Sequence, residues 1–493
     1  MLASLTTHPE LPASSRLAKL DHVLVLMPAA DEVPEDCPDR KLLLAALARR
    51  NKNTDKLHSD PTVANGPQGG LRVWTMLDAK KSRFQLLSQL REAFDALLDE
   101  EPASLQVLLL GDDAFRAWAG ELAAYVGLAN GTPLPSLKRE DAPKPLQSLD
   151  LWGIELLSPV SASLAEANLL ARMLTALPPN TLTPAAYRER LAEMAVDLGW
   201  GMEEFDLQRL SDLGAGAFLA VAQGSPVGDA AIVRLSYVPS GAHAGAVALV
   251  GKGICFDTGG HNLKPPKYMA GMHEDMAGSA VALSILVAAT RLQLPVRIDA
   301  WLALARNEIS PQAYRQGDVV TALDGTTIEV VDTDAEGRMV LADTLTLAAR
   351  EKPALLMDFA TLTGSMLSAL GTRYGGVFAS TGELARQAVQ AGVESGERVC
   401  IFPLDEDYEE ALDSDVADIK QCSLDGEADH ILAALFLKRF VGDLPWLHMD
   451  LSAASCEGGL GAIASEQTGF GVAWGMKLLC DWLEAGKRTA STS

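Results

Sequence analysis

Apolar residues recur along this chain with two spacings. Predominantly apolar runs at 21–27, 105–110 and 246–257 have the length of buried strands, while apolar positions three and four apart at 84–98 and 113–126 predict helices. A Pro-, Lys- and Asp-rich stretch at 130–147 predicts an exposed loop, and 151–157 a last strand of this first set. A helix over 163–177 then leads into a second set. There, strands near 246, 297, 327, 354 and 446 alternate with helices near 277, 337, 383 and 431. Such alternation places helices over the faces of a sheet. The expected fold is α/β, with a small N-terminal α/β domain over 1–160. A larger α/β/α domain with a mixed central sheet follows over 161–493. The tail 487–493 is expected to be disordered.

Composition narrows the class. With 493 residues the chain can build an ample core. Its 41 basic against 65 acidic residues, a net charge of −24, argue against nucleic acid or an anionic membrane as partner. The same charge weakly favours basic peptides. Eight histidines form neither an HExxH nor an HxH pair, which argues against a histidine-zinc protease. Six cysteines are scattered with no CxxC pair and read as reduced thiols of a cytoplasmic protein. The N-terminal stretch lacks the basic start and apolar block of a signal peptide, and no apolar run has membrane length, so no membrane partner is expected.

Two strand ends carry charge that the apolar pattern does not explain. The run Val331-Asp332-Thr333-Asp334-Ala335-Glu336-Gly337-Arg338 follows a predicted strand at 326–331. In extended chain, residues two apart point the same way, so Asp334, Glu336 and Arg338 are expected to converge, and Gly337 to allow a sharp turn into a helix. A solvated acidic turn capped by arginine is the plainer reading. The second place is Lys252, flanked by glycines inside the run 246–257. Alternation puts Lys252 and Asp257 on opposite faces, so a shared site requires a bulge or strand end between them, expected at Gly253. Lys264 follows in a turn, and Asp275 precedes an apolar helix, where a helix cap is the plainer reading. Together Asp257, Asp275, Asp334 and Glu336 offer oxygen ligands for two divalent ions, and a lysine amine can join them once deprotonated.

These motifs resemble the leucyl aminopeptidase family, the two-metal cytosolic aminopeptidases. The family's Asn-Thr-Asp-Ala-Glu-Gly-Arg-Leu stands here as Asp332-Thr333-Asp334-Ala335-Glu336-Gly337-Arg338-Met339. Its Lys-Gly-Ile-Thr-Phe-Asp-Ser-Gly-Gly stands as Lys252-Gly253-Ile254-Cys255-Phe256-Asp257-Thr258-Gly259-Gly260, and the intervals to Lys264, Asp275 and Asp334 also agree. The resemblance runs from about residue 165 to the C-terminus. It implies a metal-dependent aminopeptidase that removes the N-terminal residue of peptides through a metal-bridging hydroxide. Asp257 and Glu336 would bridge two ions, Mn²⁺ or Zn²⁺, with Asp334 completing one site and Lys252 and Asp275 the other. Lys264 would stabilise the oxyanion, and Arg338 would hold a bicarbonate ion. Met272, Thr361, Leu362 and Gly364 match positions lining the first side-chain pocket, although core packing explains them nearly as well. Peptides with a free N-terminus would be the substrates, a homohexamer the assembly, and the N-terminal domain would serve regulation or oligomerisation.

The chain departs from the pattern at Asp332, where the family has Asn, and at Arg306-Asn307-Glu308, where it has Glu-Asn-Met. It departs again at Glu427-Ala428-Asp429-His430, in a stretch the family makes glycine-rich. An acid gained at 332 and a base gained at 306 are expected to pair. A binding role on the same scaffold, such as DNA-binding regulation, and a two-metal phosphoesterase using Lys264, Arg338 and Gly259-Gly260 stay open at this point.

Overall fold

The computed structural model describes residues 2–66, 68–139, 143–241 and 245–491, with backbone alone for 487–491. It contains two compact units, Met1–Leu169 with Cys456–Thr468, and Leu170–Ser455 with Gly469–Ser493. Both are α/β, as the apolar pattern predicts.

The first unit is built on six strands, β1 (Ser4–His8), β2 (His22–Pro28), β3 (Thr62–Asn65), β4 (Leu71–Leu77), β5 (Ser104–Leu109) and β6 (Ser148–Trp152). Their order is β1-β6-β5-β2-β4-β3, parallel except where β3 runs against β4. Helices Arg83–Leu98 and Asp113–Asn130 supply Leu86, Leu90, Phe94, Leu122 and Val126 to the core beside this sheet. Both start at a side-chain cap: Ser82 closes a capping box with Gln85, and Asp112 accepts from Phe115 N–H. The last strand is Ser148–Trp152, three residues ahead of the expected 151–157. The segment Cys456–Thr468 belongs to this unit because Asn130 holds it: Nδ2 donates to Ala462 O at 2.8 Å, and Oδ1 accepts from Ala464 N–H at 2.9 Å.

The second unit carries β7 (Gly201–Asp206), β8 (Ala231–Tyr237), β9 (Val247–Asp257), β10 (Ile298–Asn307), β11 (Val319–Thr321) and β12 (Thr327–Glu329). It continues with β13 (Leu355–Ala360), β14 (Gly375–Ala379), β15 (Val399–Ile401), β16 (Ile419–Lys420) and β17 (Trp446–Asp450). An eight-stranded mixed sheet runs β15-β14-β17-β13-β9-β10-β8-β7, and β11, β12 and β16 form a small separate sheet. The four central strands β17, β13, β9 and β10 are mutually parallel, and nearly every residue in them is buried. Parallel strands buried on both faces need helices on both sides. The helices of this unit include Ala277–Arg291 and Glu336–Arg350, each almost entirely buried. The loops leaving the C-terminal ends of parallel strands are where such folds hold ligands, and here they carry the charged motifs. The tail does not match its expected disorder: helix Val472–Ser491 continues through 491, and 492–493 lie outside the described residues.

Candidate metal centre

Four chain segments meet at the ends of β9, β10 and β13. Strand β9 delivers Lys252 and, at its last position, Asp257. Pairing with β10 matches Ala305 to Ile254 and then Asn307 to Asp257. Three steps on β9 therefore answer two on β10, which places the bulge at Cys255 and Phe256 rather than at Gly253. The extra residue reverses the alternation and lets Lys252 and Asp257 serve one site.

The signature run folds differently from an extended chain. The preceding strand is only Thr327–Glu329, and the helix Glu336–Arg350 already begins at Glu336. Asp334 and Glu336 still share a point with Asp257: their nearest carboxylate oxygens lie within 4.8 Å of one another. Arg338, two positions into the helix, points elsewhere, toward Gln421 and Asp429. Gly337 makes no turn. It is the second helical residue, and a Cβ there would lie 2.6 Å from Lys252 Cε and 2.7 Å from Nζ. Any larger residue there would push aside the lysine, which passes directly over it.

Asp275 is not a helix cap. The helix Ala277–Arg291 starts at Met276 without a side-chain cap, and Asp275 Oδ1 instead accepts from Lys252 Nζ and Thr361 Oγ1, both at 2.8 Å. Lys252 also lies 2.8 Å from Glu336 Oε1 and donates to Thr361 O at 3.0 Å. Lys264 stands between Asp257 at 2.8 Å and Asp334 at 2.6 Å. Asp257 is held in turn by Gly259 N–H and Asn307 Nδ2, each at 2.8 Å. Asn307, Thr333 and Tyr314 form a supporting layer: Asn307 Nδ2 and the Tyr314 hydroxyl both donate to Thr333 O. The sequence reading placed none of these three in the site, although Asn307 stood inside the departure quoted at 306–308. Such uncharged partners carry no signature of their own.

The electrostatics are those of a crowded acidic pocket. Burial drives Asp334 up to about 7, with Asp257 and Glu336 adding to it. Burial likewise raises Asp275 well above the usual carboxylate range, and Glu336 above its own. Burial opposes the charge of Lys252, but Asp275, Glu336 and Asp257 outweigh it and hold the ammonium more firmly protonated than usual. The same balance, led by burial and overcome by Asp257 and Glu336, raises Lys264. Asp275 Oδ2, Asp334 Oδ1 and Glu336 Oε1 are buried without a hydrogen bond, although an ammonium nitrogen lies 2.6–2.8 Å from each. The lysines approach these oxygens off the direction a hydrogen bond needs. Four carboxylates against two ammoniums leave excess negative charge and orphaned oxygens in one buried place. That donor set fits hard divalent cations.

Of the pocket candidates, Thr361 touches the centre. Thr361 contacts Asp275 and Lys252, and Leu362 N–H donates to Asp450 Oδ1 at 3.0 Å. Leu362 also packs on the core, Gly364 opens helix Gly364–Leu370, and Met272 opens the short turn Met272–Glu274. The expected pair of Arg306 and Asp332 does not form. Arg306 meets Asp229 at 2.6 Å and Glu308 at 3.4 Å, while Asp332 Oδ1 accepts from Asp334 N–H at 2.8 Å. On β10, neighbouring side chains face opposite ways, so Asn307 turns to the site and Arg306 away from it.

The catalytic-domain profile of the cytosol aminopeptidase family matches residues 169–475. The chain belongs to this family. A probable cytosol aminopeptidase of Syntrophotalea carbinolica is 41% identical over 355 residues, 70% of each chain. One from Rhodopseudomonas palustris is 33% identical over 467 residues, 84% of this chain and 91% of the relative. Among solved structures, a tomato leucine aminopeptidase mutant superposes with a TM-score of 0.85 at 26% identity, covering 98% of this chain and 97% of that one. The bottromycin maturation enzyme BotP in complex with Mn superposes with a TM-score of 0.80 at 31% identity, covering 94% and 99%. As a member of the cytosol aminopeptidase family, the chain is a metal-dependent exopeptidase that acts on the N-terminal residue of peptides. Among the described residues no helix is long and apolar enough to cross a membrane.

Proposed function

We propose that two divalent ions, Mn²⁺ or Zn²⁺, are held by Lys252, Asp257, Asp275, Asp334 and Glu336, with Asp257 and Glu336 shared between them. The observation that carries this is the meeting of Asp257, Asp334 and Glu336 within 4.8 Å, with Asp334 Oδ1 and Glu336 Oε1 buried and free of hydrogen bonds. When bound, the ions would supply Lewis acidity and activate a water as the nucleophile. The chain's own residues do the rest. Thr361 and Asn307 fix the orientation of Asp275 and Asp257. Lys252 must surrender a proton to act as a ligand, because only the free amine has a lone pair. Lys264 keeps its proton, and from a side chain about 14% exposed its ammonium can donate to the carbonyl oxygen as negative charge grows there. Thr361, Leu362, Gly364 and Met272 line the place of the first side chain.

Bicarbonate at Arg338, which the resemblance implies, does not fit. Nη1 donates to Gln421 O at 2.9 Å and Nη2 to the carboxylate of Asp429 at 2.7 Å, so a second anion would have to share the guanidinium with a carboxylate already on it.

The further reading is a cytoplasmic homohexamer in which residues 1–160 serve assembly or regulation and 161–493 hold the chemistry. The relatives' name as cytosol aminopeptidases and the buried cysteines Cys37, Cys255 and Cys422, none of them in a disulfide, support the compartment. Sedimentation tests the assembly.

The deciding experiment compares chelated protein with protein reloaded with Mn²⁺ or Zn²⁺ on a leucyl chromogenic amide. Reloading should restore cleavage of free-amine substrates and leave N-acetylated ones intact. Cleavage that survives complete removal of metal would sink the reading.

A further inference from the structure

We infer that Asp429 supplies, from within the chain, the anion that Arg338 would otherwise draw from solution, so that this aminopeptidase works without bicarbonate. The inference rests on the reading above, a two-metal aminopeptidase, together with the catalytic role that the resemblance gives Arg338. The Arg338 side chain is 2% exposed and Asp429 keeps 24%, so the pair runs from the buried motif helix toward open space. A buried guanidinium without an anion is costly, and here the carboxylate of Asp429 meets that need at 2.7 Å. Nε of Arg338 stays buried and without a hydrogen bond, so the charge leans on this contact and on Gln421 O.

Asp429 is a built feature of the fold. It is the first residue of helix Asp429–Val441, where aligned N–H groups favour a negative side chain. The helix start is pinned next to it: His430 N–H donates to Ser365 Oγ at 2.9 Å, and His430 Nδ1 lies 2.9 Å from the same oxygen. Ala428 enters through a left-handed conformation at φ 50°. This is the stretch that the resemblance makes glycine-rich. A glycine at 429 would leave the guanidinium open to a dissolved anion, whereas an aspartate covers it. A carboxylate and a bicarbonate both present a delocalised negative charge on two oxygens, so either can accept from the guanidinium. Both together would set like charges against one donor group, which is unfavourable. Asp429 acts through Arg338 and is therefore a positioning residue.

The test compares the metal-loaded wild-type enzyme with Asp429→Gly and Asp429→Asn in carbonate-free buffer, with and without added bicarbonate. Metal content is measured for each protein. Hydrolysis of the leucyl amide is one readout, and the bicarbonate-dependent shift in melting temperature without substrate is the other. Wild type should ignore bicarbonate in both. Asp429→Gly should lose activity by roughly 10- to 100-fold, then recover saturably with bicarbonate, with a melting temperature that rises in step. Asp429→Asn should be weakened but not rescued, since its amide still covers the guanidinium. The inference is overturned if bicarbonate stimulates wild type. It is equally overturned if Asp429→Gly is fully active without any anion, or is weak and not rescued. If metal-loaded wild type fails to cleave the amide, the reading of the site fails instead, and the melting-temperature arm still decides whether Asp429 excludes bicarbonate.

Discussion

At Gly337 one methyl group separates a working site from a displaced lysine. A Cβ would sit 2.6 Å from Lys252 Cε, so the lysine would have to shift from its place beside the buried carboxylates of Asp275 and Glu336. Gly337→Ala should lower metal affinity roughly 10- to 100-fold by moving a ligand, and cost about 1–3 kcal/mol of stability by overpacking. Calorimetric titration with Mn²⁺ and urea unfolding check the two effects, and an unchanged affinity would show that Lys252 is not a ligand. Arg306 makes the opposite case. Its partner Asp229 is mostly buried and keeps a long contact of 3.3 Å from Ala185 N–H when Arg306 is gone. Arg306→Met should therefore cost about 2–4 kcal/mol while leaving Mn²⁺ affinity within error, because the pair faces away from the site. At this scale the sequence revealed residues that carry charge in a motif, such as Asp257 and Glu336. It hid Asn307, Thr333 and Gln421, whose roles come from position alone. Asp429 was visible as a departure, but its partner Arg338 lies 91 residues away.

The C-terminal helix shows how an element carries its own pH dependence. Glu397, in the loop before β15, accepts from Gly471 N–H at 2.9 Å and Trp474 N–H at 2.8 Å, at the start of helix Val472–Ser491. Burial pushes this carboxyl up to about 7, against the backbone donors that favour its anion. A raised native-state pKa means the folded protein binds the proton more tightly than the unfolded chain. The resulting stabilisation is complete below the ordinary value of 4.5 and is lost as pH rises through about 7. Every tenfold gain in proton affinity on folding corresponds to about 1.4 kcal/mol. Glu397→Gln keeps an acceptor and removes the titration. Its unfolding free energy should vary less between pH 4.5 and 7 than that of wild type, and identical profiles in urea denaturation would refute the assignment. Elements themselves were legible where apolar runs were clean, as at β2, β5 and β9. Strand β4 was missed because buried Arg72 interrupts it, satisfied by Asp39 at 3.1 Å and by the carbonyls of Leu17 and Asp21. The signature was misread as extended chain because alternation and the first turn of a helix look alike over a few residues. Only the helix explains why Arg338 leaves the acids.

The whole molecule adds a term that no single residue supplies. Its net charge is −24, and the Lys252–Glu336 contact at the metal centre is buried. Charges farther apart than a Debye length, about 10 Å at 0.1 M salt, lose their influence as salt is added, while contacts inside the centre do not. The negative field should therefore gather cationic peptides at low ionic strength and repel acidic ones, acting on encounter and not on the bond-breaking step. For peptides with lysine or arginine after the first residue, KM should rise by roughly 3- to 10-fold between low and high salt. For acidic peptides KM should fall, and for neutral ones stay level. Across all three series kcat should hold steady, because Lys264 meets Asp257 and Asp334 at 2.8 and 2.6 Å, well inside a Debye length. Steady-state kinetics on matched peptides at constant metal saturation separates these effects. If KM for all three series moved together with salt, the dependence would lie in the metal centre or the assembly, and the surface charge would play no part in choosing substrates.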